Sequence, residues 1–206
     1  MRVILIRHAE TEWNQMGILQ GHMDSPLTAR GLRETSALLT AFTATDWAVE
    51  CVYTSPLSRA REMARRLAKH FQTTVVTEEA LKEQAFGRYE GVSIRDLKTD
   101  SPAVAQALFA EDPGFCPPGG ESLLNASLRI IHFLQGLQTL AAQNTVCLVS
   151  HGHVCQGVLA LLCEGKIENF ARYAHPNASY SVLEVTQGKC VTRRWGIATH
   201  LLKVER

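Results

Sequence analysis

The sequence predicts an α/β fold: a three-layer α/β/α sandwich with a mostly parallel central sheet and a small helical or loop cap. Three observations predict it. Short β-branched or apolar runs alternate with segments of helical periodicity. Two of the runs, at 3–6 and 146–149, are continuous apolar stretches of the kind that suits strands buried on both faces. The segment from about 84 to 120 breaks the alternation and ends in DPGFCPPGG, a loop rich in Pro and Gly. At 206 residues the chain fits one domain, 1–206, with the cap inserted at about 84–120.

Element by element, Val3 to Ile6 is the first strand, stopping at Arg7-His8. Thr28 is an N-cap before a helix whose apolar part is ALLTAF. Val49 to Thr54 is the second strand. Pro56 suits a first helical turn, after which Met63, Leu67 and Phe71 recur at helical spacing. Thr73 to Thr77 is the third strand. Residues 92 to 111 are helical but interrupted by Pro102, and Glu121 opens a long helix running to about Gln143. Thr145 to Ser150 is the fourth strand, followed by His151-Gly152 and a helix to about Cys163. Tyr180 to Val185 and Cys190 to Trp195 pair across a Gly188 turn.

Composition narrows the function classes. A net charge of +1 leaves no broad surface for nucleic acid or membrane, whereas a local cationic pocket for a small anion is compatible with it. The N-terminal apolar run is too short for a signal peptide, and no stretch reaches the roughly 20 apolar residues of a membrane span. None of the six cysteines forms a C-x-x-C pair, so free thiols in a reducing cytoplasm are expected. Oligomeric state is not specified.

In open α/β sheets, ligands bind beyond the carboxyl ends of the strands. By that rule Arg7-His8, Thr54-Ser55 with Arg59, and Ser150-His151-Gly152 converge on one edge. Arginines match phosphate oxygens with charge-assisted bonds. The helix after Gly152 offers backbone N–H groups to an anion. A neutral imidazole can attack phosphorus, a second histidine if protonated would stabilise the developing charge, and a carboxylic acid must protonate the leaving oxygen. Taken singly, such histidines and arginines are more often structural or solvated. A serine hydrolase lacks its G-x-S-x-G elbow here. A zinc site on His151-x-His153 stays open but lacks a clear third ligand.

The segments together resemble the histidine phosphatase superfamily, the phosphoglycerate mutase-like family. Arg7-His8-Ala9-Glu10-Thr11-Glu12-Trp13-Asn14 is similar to R-H-G-x-T-x-x-N, and Asp24-Ser25-Pro26-Leu27-Thr28 with Gly31 to D-x-P-L-T-x-x-G. Ser55-Pro56-Leu57-Ser58-Arg59-Ala60 resembles S-x-L-x-R-A. Leu81-Lys82-Glu83 with Phe86-Gly87 and Glu90-Gly91 resembles L-x-E-x-x-F-G-x-x-E-G. Gly119-Gly120-Glu121-Ser122 and Val149-Ser150-His151-Gly152 match G-G-E-S and V-S-H-G. The resemblance implies a role for each residue. His8 would be the nucleophile forming a phosphohistidine. Arg7, Arg59 and His151 would bind the transferred phosphoryl group, and Glu83 would donate and later accept the proton. Asn14 and the Gly152 N–H would be secondary phosphate contacts. No metal or organic cofactor is implied.

The chain departs from the pattern at Ala9, where Gly is usual and where φ below zero is expected, and at Met63, where a packing change is expected. His153 and Gln156 are positioned to touch the substrate. Between Lys98 and Asn144 the one Arg is Arg129, set among acidic residues, so a clamp for a second phosphate is poorly provided for. A phosphatase acting on a small phosphomonoester is therefore favoured over a cofactor-dependent mutase. A catalytically weak phospho-ligand-binding relative is the further alternative. Phe86, Tyr89, Phe109, Phe115 and Cys116 in the cap imply a leaving group with apolar or ring character. A relative acting on α-ribazole phosphate shares the GH…PLTARG stretch of Gly21 to Gly31.

Overall fold

The computed structural model describes residues 1–137 and 145–204, the side chains at 110 and 111 excepted. Strands β1 (Arg2–Arg7), β2 (Val49–Thr54), β3 (Thr74–Thr77), β4 (Thr145–Ser150), β5 (Tyr180–Thr186) and β6 (Lys189–Ile197) form one sheet in the order β3-β2-β4-β1-β5-β6. The pairs β1–β4, β2–β4 and β2–β3 are parallel, and β5 runs antiparallel to both β1 and β6. The sheet is thus parallel where it is central and closes with the expected hairpin. Gln187 and Gly188 turn that hairpin with φ of 51° and 73°, the two positive values that a two-residue turn between twisted strands requires.

Alternation along the strands builds the layers. Ile4, Ile6, Cys147 and Val149 face helices α2 (Ala29–Thr43) and α3 (Ser58–Phe71), packing on Leu38, Phe42, Met63 and Leu67. Val3, Leu5, Val146 and Leu148 face the other way, toward α6 (Leu123–Gly136) and α7 (Gly152–Glu164), on Ile130, Leu134, Val154 and Val158. Each such side chain contributes roughly 1.5–3 kcal/mol on burial, so the two cores fix the sheet and with it the positions of its strand ends. Met63 is fully buried.

Between these layers in sequence lie the short helices α1 (Glu12–Met16), α4 (Ile94–Asp100) and α5 (Pro102–Gln106), the last with Pro102 in its first turn. A π-helical turn, Ala107–Glu111, follows α5. Leu19, Phe86, Leu97, Ala105 and Leu108 form a third, separate apolar cluster there.

Two helix starts differ from expectation. Pro56 lies outside α3: the Ser55 N–H still bonds the Val149 carbonyl, and Ser55 Oγ then accepts from the Leu57 N–H to turn the chain. Glu121 lies outside α6. Ser122 is the N-cap, its hydroxyl accepting from the Asn125 N–H, which frees Glu121 for partners elsewhere. The expected extension of that helix to Gln143 falls outside the described residues. Thr28 caps α2 as expected, accepting from the Gly31 N–H at 2.9 Å.

Candidate active site

The parallel register sets the site. Arg7 pairs with Ser150 and Thr54 with Val149, so the ends of β1, β4 and β2 stand side by side. Beyond them lies a cavity of about 320 Å³ whose wall includes Arg7, His8, Asn14, Arg59, Glu83 and Gly152. Six of the seven residues expected at the site therefore meet on one surface. The seventh, His151, is fully buried and absent from the cavity wall; its ring stands 5.2 Å from that of His8, centroid to centroid.

His8 is buried, and its backbone is held on both sides: its N–H bonds the Ser150 carbonyl, and its carbonyl accepts from the Ala178 N–H and Asn177 Nδ2. Its Nδ1 lies 2.7 Å from the Ala9 carbonyl. A carbonyl can only accept, so Nδ1 carries the proton and Nε2 keeps its lone pair. Burial, then Arg59 and Arg7, push the His8 pKa well below 6.5 and keep the ring neutral. Ala9 is not among the residues with positive φ, as expected for a position without glycine's freedom.

His151 is likewise pushed well below 6.5, by burial first and then by Arg59 and His8. The condition attached to it, that it be protonated, is thus not met by the protein alone. Its Nε2 lies 2.8 Å from Ser55 Oγ, and its buried Nδ1 has no partner.

The two arginines are anchored differently. Arg7 Nη1 donates to the His175 carbonyl at 2.7 Å. Arg59 is almost wholly buried; Nη1 donates to the Met23 carbonyl and Asp24 Oδ1, and Nη2 to the Gly21 carbonyl. Nε of both is buried without a partner. Burial lowers both pKa values, from a level so high that both stay cationic.

Glu83 comes from a stretch without regular structure, and its carboxylate docks on the start of α7. Oε1 accepts from the Val154 and Gln84 N–H groups, and Oε2 from the His153 N–H. Two of the helix N–H groups expected to face an anion are thus occupied by Glu83. Asn14 Oδ1 is also engaged, accepting from the Thr11 N–H in a capping box of α1 and from Asn177 Nδ2.

His153 and Gln156 line the cavity, as expected. Of the five cap residues proposed to line it, Phe86 and Phe109 do. Tyr89 and Phe115 pack into the third apolar cluster instead, and Cys116 is exposed. Ile18, Leu19 and Ile94 take the remaining apolar wall, contributions that no sequence motif marked. Nor did a motif mark His175, Asn177 or Arg129. Each bonds through at least one backbone carbonyl, which no residue pattern announces. Among the described residues no group of three or more His, Cys, Asp or Glu side chains is arranged to hold a metal, and His153 packs among Phe86, Phe109 and Phe170 rather than beside His151.

Residues 3–198 match the family model of the histidine phosphatase superfamily, branch 1. The chain belongs to that superfamily. This histidine phosphatase is 28% identical over 201 residues to phosphoserine phosphatase 1 of Hydrogenobacter thermophilus, covering 98% of this chain and 94% of that one. It is 33% identical over 162 residues to the adenosylcobalamin/alpha-ribazole phosphatase of Escherichia coli, covering 79% and 77% of the two chains. Its fold matches that of a mycobacterial glucosyl-3-phosphoglycerate phosphatase in complex with VO3, with a TM-score of 0.87 at 23% identity over 96% of this chain and 99% of that one. These proteins are named for different substrates, so the family assignment leaves the substrate open.

Proposed function

We propose that this histidine phosphatase is a metal-independent phosphomonoesterase that hydrolyses a small phosphorylated metabolite through a phosphohistidine on His8. The observation that carries this is the His8 tautomer: Nδ1–H is tied to the Ala9 carbonyl, and the imidazole lines the same cavity as Arg7, Arg59 and Glu83. Nε2 attacks phosphorus while the Glu83 carboxyl delivers a proton to the departing oxygen, so the leaving group departs as an alcohol. The Glu83 carboxylate then takes a proton from water, whose oxygen attacks the phosphohistidine and releases inorganic phosphate. Arg7 and Arg59 neutralise the equatorial oxygens, with Asn14 and the Gly152 N–H as further contacts. A phosphoryl dianion offsets the arginine charges that depress His151, so its proton affinity rises when substrate binds.

The leaving group is best read as small, uncharged and partly apolar. Arg7 and Arg59 are the cationic side chains on the cavity wall, both assigned to the phosphoryl group, while Ile18, Leu19, Phe86, Ile94 and Phe109 supply an apolar surface. Phosphoserine, with its ammonium and carboxylate, fits that wall less well than an ester carrying a flat neutral ring, such as α-ribazole phosphate. In this reading 84–120 caps a single domain, and the six free thiols suit a reducing cytoplasm.

The test is turnover of p-nitrophenyl phosphate in excess EDTA by the protein and its His8→Ala variant, with alkaline trapping of labelled phosphoenzyme. Loss of both label and turnover in the variant supports the mechanism; turnover unaffected by His8→Ala overturns it. Interconversion of phosphoglycerates dependent on 2,3-bisphosphoglycerate would replace hydrolysis by mutase chemistry. Phosphate-ester binding without turnover would indicate a catalytically weak relative. A panel of phosphorylated metabolites in which phosphoserine or a sugar bisphosphate is strongly preferred would overturn the substrate class.

A further inference from the structure

We propose that Arg129 and Glu121 form a clamp that positions Glu83 for proton transfer, making Arg129 a positioning residue of the reaction; this rests on the reading of Glu83 as the proton donor. Glu83 lies between two short 3-10 turns, Glu79–Leu81 and Gly87–Tyr89, so no helix or strand ladder fixes its backbone. Side chains do so instead: His22 Nε2 lies 2.9 Å from the Glu83 carbonyl, and one guanidinium reaches the same carbonyl from α6. Arg129, from the middle of α6, donates through Nη1 to the carbonyls of Ala80 and Lys82 and through Nη2 to the carbonyl of Glu83 at 2.8 Å. Glu121 completes the clamp from the segment just ahead of the same helix. Its carboxylate takes Arg129 Nη2 at 2.8 Å and the Ala85 N–H at 3.1 Å. Its backbone accepts from Gln84 Nε2 and donates to the Ala85 carbonyl. Residues 80 to 85 are thereby held from the α6 side.

The opposite side of Glu83 meets the start of α7 through its carboxylate. The residue is therefore suspended between two helices, its carbonyl tied to α6 by Arg129 and its carboxylate tied to α7. A shift of the backbone by a fraction of an ångström alters where the carboxyl points, and general acid catalysis depends on that geometry. The planar fork of Arg129 meets three carbonyls and a carboxylate at once, which a lysine ammonium cannot reproduce. Glu121 of the G-G-E-S motif thus holds the charge of Arg129 and the Ala85 amide together.

The proposal is tested by leaving-group dependence. kcat/KM reports steps up to phosphorylation of His8, where the donor matters most for esters whose alcohols leave poorly. Arg129→Met, Glu121→Gln and Glu83→Gln are assayed on p-nitrophenyl phosphate, which needs little protonation, and on phenyl and alkyl phosphates, with thermal unfolding measured in parallel. The expected result is that Arg129→Met loses at least about tenfold more kcat/KM on the alkyl than on the p-nitrophenyl ester. Glu121→Gln should lose selectively in the same direction, by less, because its side chain can still accept from Ala85. Equal losses on all esters from Arg129→Met and Glu121→Gln, beside a selective loss from Glu83→Gln, overturn the clamp and leave the donor reading intact. Equal losses from Glu83→Gln itself overturn the donor reading. If Arg129→Met does not fold, the Glu121→Gln ratio decides.

Discussion

Gly152 and Arg7 are packed so closely that a β-carbon at position 152 would stand 2.7 Å from the Arg7 guanidinium carbon and 2.8 Å from its Nε. Only a residue without a β-carbon leaves room at the first position of α7 for the Arg7 guanidinium to lie across it. Gly152→Ala should displace the guanidinium, the flexible end of a side chain, and leave the core alone. The expected outcome is a rise in KM and a fall in kcat/KM of about tenfold or more, with stability changed by less than about 1 kcal/mol. Steady-state kinetics and thermal unfolding check it.

Asp24 ties two elements together. Its Oδ1 pairs with Arg59 and its Oδ2 accepts the Ser58 N–H at 2.5 Å, serving the start of α3, where Leu57 offers no side-chain cap. Asp24→Ala leaves Arg59 with the Met23 and Gly21 carbonyls but without its ion-pair partner. Because Asp24 is about a third exposed, the loss is discounted from the buried-pair range to about 1–2 kcal/mol. Denaturant unfolding measures it, and KM should rise as Arg59 loosens.

Asn177 Nδ2 donates to both the His8 carbonyl and Asn14 Oδ1, at 3.1 Å each. Asn177→Asp keeps the shape and sets an oxygen against two acceptors. Stability should fall by about 1–3 kcal/mol and kcat should drop. Asn177→Asp at full activity and stability would show that the segment before β5 does not support His8.

The histidines predict a pH dependence of stability. His8, His151 and His153 are lowered by burial, and His175 falls to about 3, with Arg7 adding to the effect. A folded pKa below the unfolded value means that the unfolded chain binds protons first. Stability from these groups is therefore complete above about pH 6.5 and is lost as pH falls toward the folded values, by up to about 1.4 kcal/mol per pH unit for each histidine still neutral in the fold. Unfolding free energy measured from pH 7.5 to 4.5 should decline steadily below 6.5. A flat profile would show that these histidines are not buried neutral.

Periodicity was enough to read the α/β class, because alternating strands and helices leave a pattern in single residues: Ile4 and Ile6 face one core while Val3 and Leu5 face the other. The ordered motifs named the family and the set around His8 for the same reason, since an attacking imidazole or a phosphate-binding guanidinium is a side-chain identity. Backbone partners have no such identity. That Arg129 holds the Glu83 carbonyl, that Glu83 occupies the first amides of α7, and that His175 offers its carbonyl to Arg7 all depend on which main-chain groups face each residue after packing. The same holds for the cavity wall, where Ile18 and Ile94 replace the expected Phe115 and Cys116. The residues to which the chemistry is assigned were legible in the chain. The positions of Arg7 over Gly152, and of Glu83 between two helices, were decided only by the tertiary structure, through close packing and main-chain hydrogen bonds between distant segments.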